Sequence, residues 1–185
     1  MGDCISALLK IKFGNAGLIT DMEGEAMATL WHEVTHNRHK GLDGVYSHFS
    51  ERSKECANEW VSRHTLNEFY DRLGVKHKTR SMLKYMGHNE VLDYDTMVTN
   101  YDHIIQVCGL NRKKVLESVR NGLFFDDYDN QLEVLVKGLL DGGLKHIDGT
   151  FANYNVASEL VRSALCNVTK DDITILAKTK MIKLI

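Results

Sequence analysis

The chain contains no proline in 185 residues, and this absence limits the folds open to it more than any other feature. Average proline usage is about 5%, and a proline inside a helix removes a hydrogen bond and clashes with the preceding turn. A chain of this length without proline is therefore expected to be mainly helical. Apolar residues make up 43% of the chain, enough to bury a core as one domain or as two small lobes.

The second half of the sequence predicts a series of helices, because apolar residues such as Leu132, Leu135 and Leu139 recur there with helical spacing. The predicted helices cover 79–87, 94–108, 111–122, 129–141, 153–166 and 170–179, with stops at Gly87, Gly109, Gly122 and Gly142-Gly143. We expect this helical region, 76–185, to form a bundle packed on an N-terminal core of residues 1–75, with both parts in one compact unit.

One segment near the N-terminus predicts a β-strand. Between Ile5 and Phe13, Leu9 and Ile11 alternate with Lys10, which is the spacing of a half-buried strand. The glycine-rich residues that follow predict a turn into the next helix. The expected fold class is therefore mainly α, with a short N-terminal strand as its β component (α+β).

The stretch His32-Glu33-Val34-Thr35-His36 has residue types and a spacing that meet a specific chemical need. On a helix, residues four apart lie on the same face, so the two histidines can each give a nitrogen to one zinc ion at roughly 2.0–2.1 Å. Glu33 can then take a proton from a water at the open position of the metal. The alternative interpretation is an amphipathic helix with two histidines on its polar face.

Residues 29–37, TLWHEVTHN, resemble the extended active-site helix of the zincin metallopeptidases, in which uncharged residues surround the motif. The family usually has a hydrophobic residue at the next position, where this chain has Arg38. The resemblance covers residues 20–75 and looks most like the small metallopeptidase domains carried by phages and mobile elements. It implies a β-strand beside the active-site helix, a bound Zn²⁺ ion and a protein or peptide substrate.

A catalytic zinc site usually has three protein ligands and a water, so a third ligand is needed. The gluzincin branch of the zincins takes it from a glutamate on a second helix. Residues 50–73 predict that helix, with Ser50 as N-cap and Gly74 as C-cap. Glu55 is the predicted ligand, and Glu59 is the alternative ligand or a residue behind the ligands. The competing interpretation is a solvated acidic face.

His39 lies one turn after His36 and is the rival third ligand, although its place in the basic run 38–40 favours a surface position. Several other side chains are candidates to stabilise the oxyanion of a peptide-bond hydrolysis. These candidates are Tyr46, His48, His64 and Tyr70.

Charge and cysteine usage limit the partners and the compartment. A net charge of −2 argues against nucleic acid as a partner. The four cysteines are spread without a C-x-x-C pair, and no hydrophobic signal or membrane span is visible, which together favour a reducing, cytoplasmic location. The first six residues, MGDCIS, match a myristoylation pattern too short to be specific, and we interpret the match as a coincidence.

The sequence thus predicts a cytoplasmic zinc metallopeptidase. Zn²⁺ is bound by His32, His36 and Glu55, and Glu33 is the general base. The alternative is a non-enzymatic helical interaction or structural protein of a phage or mobile element, in which the motif is a chance match or a relic.

Overall fold

The computed structural model describes residues 1–36, 48–86, 94–125, 131–166 and 168–185, without the side chains of 48–50 and 125. Within these ranges the α-helices are α1 (Gly2–Lys12), α2 (Asp21–His36), α3 (His48–Arg72), α4 (Arg80–Leu83), α5 (Asp95–Val107), α6 (Arg112–Phe125), α7 (Gln131–Asp141), α8 (Tyr154–Leu165) and α9 (Lys170–Thr179). A short 3-10 helix, Ala16–Leu18, separates the first two. The mainly helical character expected from the missing proline is confirmed. None of the helices in these ranges is long and apolar enough to cross a membrane.

The predicted N-terminal strand is wrong, because the residues from Ile5 onward belong to α1. The side chains of α1 that pack on a core are Cys4, Ala7 and Ile11, whose spacing of three and four residues is helical. Leu9, on which the alternation depended, is 48% exposed. In the described part of the chain, β-pairing is limited to two isolated bridges near the C-terminus.

The C-terminal helices lie close to their predicted positions, and two of the predicted glycine stops are confirmed. Gly109 and Gly143 follow helix ends with positive φ angles of 62° and 97°, a conformation that glycine adopts without strain. Gly122 is wrong as a stop, because α6 continues to Phe125. An added Cβ at Gly122 would lie 3.0 Å from a methyl group of Val134, so close packing of α6 on α7 accounts for this glycine. Gly87 lies outside the described residues.

The chain divides into two compact units, Met1–Arg38 with Asn58–Leu92, and His39–Ala57 with Asp93–Ile185. The first unit has α1, α2, α4 and the second part of α3 around a core of buried side chains. Its largest fully buried members are Met27, Leu66, Tyr70 and Met82. In this grouping α3 contributes to both units, whereas the sequence predicted a division after residue 75. The predicted division stays a prediction.

The start of α2 is held by the pair Thr20 and Glu23. The backbone N–H of Thr20 donates to Oε2 of Glu23 at 2.8 Å, and the backbone N–H of Glu23 donates to the hydroxyl of Thr20 at 3.3 Å, as in a capping box. The same carboxylate also accepts from Ser6 at 2.6 Å and from Lys10 at 2.7 Å on α1. One buried glutamate therefore joins α1 to the beginning of α2.

The face that α2 turns toward the core carries Met27, Trp31 and Thr35, which are buried. The apolar residues Ala26, Leu30 and Val34, each one position before a member of this face, are only partly buried. The difference is one residue, or about 100° around the helix. His32 lies beside Trp31 and is consequently 8% exposed.

Helix α3 begins at His48, two residues before the predicted N-cap, and ends where predicted. Gly74 has a φ of +79°, and the N–H groups of Gly74 and Val75 donate to the carbonyls of Asp71 and Tyr70. This is the hydrogen-bond pattern of a Schellman motif, so the predicted C-cap is confirmed.

The second unit contains helices α5 to α9. Helix α7 packs on α6 and α8, and α5 packs on α8 and α9. The hydroxyl of Tyr101 donates to the carbonyl of Leu135 at 2.9 Å, which joins α5 to α7 inside the core. Arg52 donates from Nε to the carbonyl of Leu165 at 2.6 Å, so the first turns of α3 are held against the end of α8.

Candidate metal centre

The orientation of α2 toward α3 is set by Trp31. Its indole Nε1–H donates to the hydroxyl of Thr65 at 2.9 Å, and its ring stacks on Phe69 with a centroid distance of 4.7 Å. Stacking and a satisfied indole N–H together favour one rotation of the helix. His32, the next residue, is thereby directed toward α3 one to two turns before Thr65.

His32 and His36 form the centre of a polar cluster. Their Nε2 atoms lie 2.8 Å apart, and their rings meet edge to face with centroids 4.4 Å apart. Two imidazole nitrogens four residues apart on one helix are thus aimed at the same point. His32 is buried and His36 is half-buried, so this point lies near the surface.

Glu55 lies at the same point. One ligand atom from each of His32, His36 and Glu55 lies within 4.8 Å of the others. Two imidazoles and a carboxylate form a donor set typical of catalytic zinc, which keeps a fourth position for water. The predicted third ligand is therefore brought together with the two histidines.

Glu59, one turn further along α3, lies behind His32. Its Oε2 is 2.6 Å from Nδ1 of His32, and its Oε1 is 2.6 Å from Nε of Arg63. Burial raises the pKa of Glu59, but the hydrogen bond from His32 and the charge of Arg63 outweigh it, so the net pKa lies below its ordinary value. Glu59 is 3% exposed and is held as an anion by these two partners.

These contacts determine which nitrogen of His32 faces the cluster. An ionised carboxylate only accepts, so the 2.6 Å contact with Glu59 favours the tautomer of His32 that has its proton on Nδ1 and a lone pair on Nε2. Ligand nitrogens of a tetrahedral zinc site stand about 3.3 Å apart, given Zn–N lengths of roughly 2.0–2.1 Å. The two Nε2 atoms at 2.8 Å need to separate by only about 0.5 Å, so the residues present fit a zinc ion.

Glu33 is exposed and lines a groove of about 500 Å³ between α1 and α2. Each step along an α-helix turns it by about 100°. Viewed down the axis of α2, Glu33 therefore lies between Leu30, which lines the groove, and the pair His32 and His36. Glu33 therefore lies on the solvent-exposed side of the histidine pair. Its role as general base stays a prediction.

Two predicted oxyanion donors lie away from the cluster. His64 is about half a turn around α3 from Glu55, and its Nδ1 is 2.7 Å from the carbonyl oxygen of Trp60. Tyr70 lies about 22 Å along the helix from Glu55 and is fully buried in the core of the first unit. Burial raises the pKa of the Tyr70 hydroxyl, which has no hydrogen-bond partner among the described residues.

The side chains of the other residues predicted for the site lie outside the part of the chain that the structure describes. His39 and Tyr46 lie outside the described residues, and so does the side chain of His48. Their suggested roles stay predictions.

Arg63 is a site residue that the sequence interpretation missed. Glu59 and Arg63 are both 3% exposed, so the competing interpretation of a solvated acidic face is wrong for this pair. Their separation of four residues, which favours an ion pair on a helix, was the available signal. The burial that makes this pair important becomes visible only when α2 is packed against α3.

Comparison with known proteins found no family model, no curated protein and no solved structure that matches this chain.

Proposed function

We propose that this chain is a zinc-dependent hydrolase of peptide bonds, with zinc bound by His32, His36 and Glu55. The observation that carries the proposal is the convergence of these three side chains, whose ligand atoms lie within 4.8 Å of one another. A carboxylate behind one imidazole, as Glu59 stands behind His32 at 2.6 Å, is a common accompaniment of metal-binding histidines.

Each residue has a distinct role in this proposal. His32, His36 and Glu55 would hold a zinc ion, which would lower the pKa of a bound water to about 7 and polarise the carbonyl oxygen of a substrate. Glu33 accepts the proton of the attacking water and returns it to the leaving amine. Glu59 keeps the proton of His32 on Nδ1, and Arg63 keeps Glu59 ionised, so that Nε2 of His32 remains a ligand.

A second candidate function is non-enzymatic, and a specific observation favours it. His36, His32, Glu59 and Arg63 form a continuous series of polar contacts of 2.8, 2.6 and 2.6 Å. Such a network can specify how α2 packs on α3 without a metal. In that case the chain is a helical interaction or structural protein, and the histidine motif serves its fold alone.

Zinc content and peptide cleavage separate the two candidates. The purified chain is reconstituted with zinc, dialysed and analysed by inductively coupled plasma mass spectrometry, beside Glu33→Gln and a His32→Ala/His36→Ala double variant. The same samples are incubated with a peptide mixture, and new termini are identified by mass spectrometry. Circular dichroism establishes that each variant keeps its helices.

We expect about one zinc per chain in the wild type and in Glu33→Gln, but none in the double variant. Cleavage is expected only in the wild type, because Glu33→Gln keeps the metal and loses the base. A folded wild-type chain that retains no zinc after reconstitution would reject the hydrolase and leave the structural network. Zinc binding with equal cleavage by Glu33→Gln would reject the role of Glu33.

A further inference from the structure

The groove beside Glu33 has a floor suited to apolar chain segments. It lies between α1 and α2 in the first unit and has a volume of about 500 Å³, within the range of roughly 300–1,000 Å³ that is typical of ligand sites. Its floor includes the partly buried side chains of Cys4, Ala26 and Leu30. This surface is neither closed by the core nor fully exposed.

The length of the groove fits a short extended peptide. Its lining on α2 extends from Met22 to Glu33, a distance of about 16 Å at 1.5 Å per residue. An extended chain advances about 3.3 Å per residue, so about five residues can lie along the groove. Met22, at the end opposite Glu33, is 68% exposed and presents apolar surface to a bound chain.

Among the described groups that line the rim, carboxylates outnumber the single cation, which is the α-amino group of Met1. Asp3, Glu25 and Glu33 contribute three carboxylates, whereas none of the described side chains that line the groove is Lys or Arg. Asp3 and Glu25 are exposed, and the hydrogen bond that Glu25 accepts from the hydroxyl of Tyr85 is long, at 3.5 Å. Lys and Arg combine an apolar stem with a cationic head, which matches an apolar floor with an acidic rim.

We propose that this groove binds an extended peptide segment that carries Lys or Arg side chains. The stems lie on Ala26 and Leu30, and the cationic heads pair with Asp3 and Glu25. In one respect the inference rests on the proposed function, because Glu33, as general base, would connect the groove to the metal cluster. Basic peptides are then the substrate class of the hydrolase.

The test measures binding without hydrolysis. The full chain is treated with a chelator and titrated in a calorimeter with the capped pentapeptide Leu-Lys-Leu-Lys-Leu, and separately with the same peptide carrying Glu in place of Lys. Glu25→Lys reverses one rim charge and Asp3→Asn removes another. Glu117→Lys, an exposed position on α6, is the matched control, since it changes the net charge of the chain as Glu25→Lys does.

We expect the Lys peptide to bind at least about tenfold more tightly than the Glu peptide. Asp3→Asn should weaken it about threefold and Glu25→Lys about tenfold, while Glu117→Lys leaves the affinity unchanged. Added salt should reduce the difference between the two peptides. Equal affinities for the two peptides, or an equal loss in Glu117→Lys, would overturn the inference.

A different occupant would also be recognised. If sedimentation shows a dimer that Glu25→Lys dissociates, and neither peptide binds, the groove is covered by a second copy of the chain and the inference fails. Failure of the hydrolase has its own signature, because a chain that retains no zinc and still selects the Lys peptide has lost only the proposed function. Zinc-dependent cleavage without preference for basic peptides would support the hydrolase and reject the groove as a site for basic segments.

Discussion

Two glutamates one turn apart on α3 are expected to contribute differently to zinc binding. Glu59→Gln should weaken it about 10- to 100-fold, because Glu59 acts through His32, whereas Glu55→Gln removes a ligand and should weaken it further. The affinities are measured by competition with a chromophoric chelator. Glu51, exposed and on the same stripe of α3, provides the control Glu51→Gln, which should match the wild type. Equal losses at positions 51, 55 and 59 would contradict this assignment.

Arg63 is expected to contribute to stability through Glu59. Arg63→Met keeps the apolar stem but removes the charge that pairs with a carboxylate at 2.6 Å, both side chains being buried. Breaking a buried pair leaves an uncompensated charge, so the unfolding free energy should fall by about 3 kcal/mol. Urea denaturation measures this loss. The exposed Arg72 at the end of the same helix provides Arg72→Met as a control, and a similar effect of both variants would argue against the pair.

At the scale of elements, the joint between α1 and α2 should respond to acid. Hydrogen bonds from Lys10, Ser6 and Thr20 lower the pKa of Glu23 to about 2, from an ordinary value of 4.5. Because the folded pKa is the lower one, this contribution is complete above pH 4.5 and is lost as the pH falls toward 2. Glu23→Gln should flatten this part of the stability profile, measured by urea denaturation between pH 6 and pH 3. If the unfolding free energies of the wild type and Glu23→Gln fall in parallel with pH, Glu23 does not contribute in this way.

The close approach of α2 to α4 predicts an unusual effect of alanine. An added Cβ at Gly24 would lie 2.3 Å from the backbone oxygen of Ser81. Gly→Ala in a helix ordinarily stabilises by about 1 kcal/mol, but overpacking costs about 1–3 kcal/mol. Because the contact is with backbone and cannot easily give way, Gly24→Ala should lower the unfolding free energy by up to about 2 kcal/mol. Gly17→Ala, where the added Cβ meets nothing within 4 Å, is the control in the same thermal or urea unfolding experiment.

At the scale of the whole molecule, zinc should stabilise the chain. A ligand that binds only the folded state at about 100 times its dissociation constant adds about 2.7 kcal/mol to the unfolding free energy. The midpoint of thermal unfolding should therefore rise when zinc is added to the wild type. The His32→Ala/His36→Ala double variant should show no such rise, and an equal rise in both proteins would mean that zinc acts elsewhere.

Prediction from the sequence succeeded where the signal is local. The helix ends at Gly74, Gly109 and Gly143 follow from a conformation that other residues adopt only with strain. The face shared by His32 and His36 follows from helical periodicity alone. Prediction failed at α1, because an alternation over a few residues is compatible with both a strand and a helix. The packing of Cys4, Ala7 and Ile11 on the core selects the helix.

The helical character of the chain, most helix boundaries and the pairing of two histidines on one face could be predicted without a structure. Hydrogen bonding and residue spacing within one segment are sufficient for these features. Three features become visible only in the folded chain: the different positions of Glu55 and Glu59 relative to His32, the burial of Arg63, and the groove beside Glu33. Each of these depends on contacts between helices that are distant in sequence, and the rotation of α2 about its own axis, set by Trp31 against Thr65 and Phe69, determines which side chains meet.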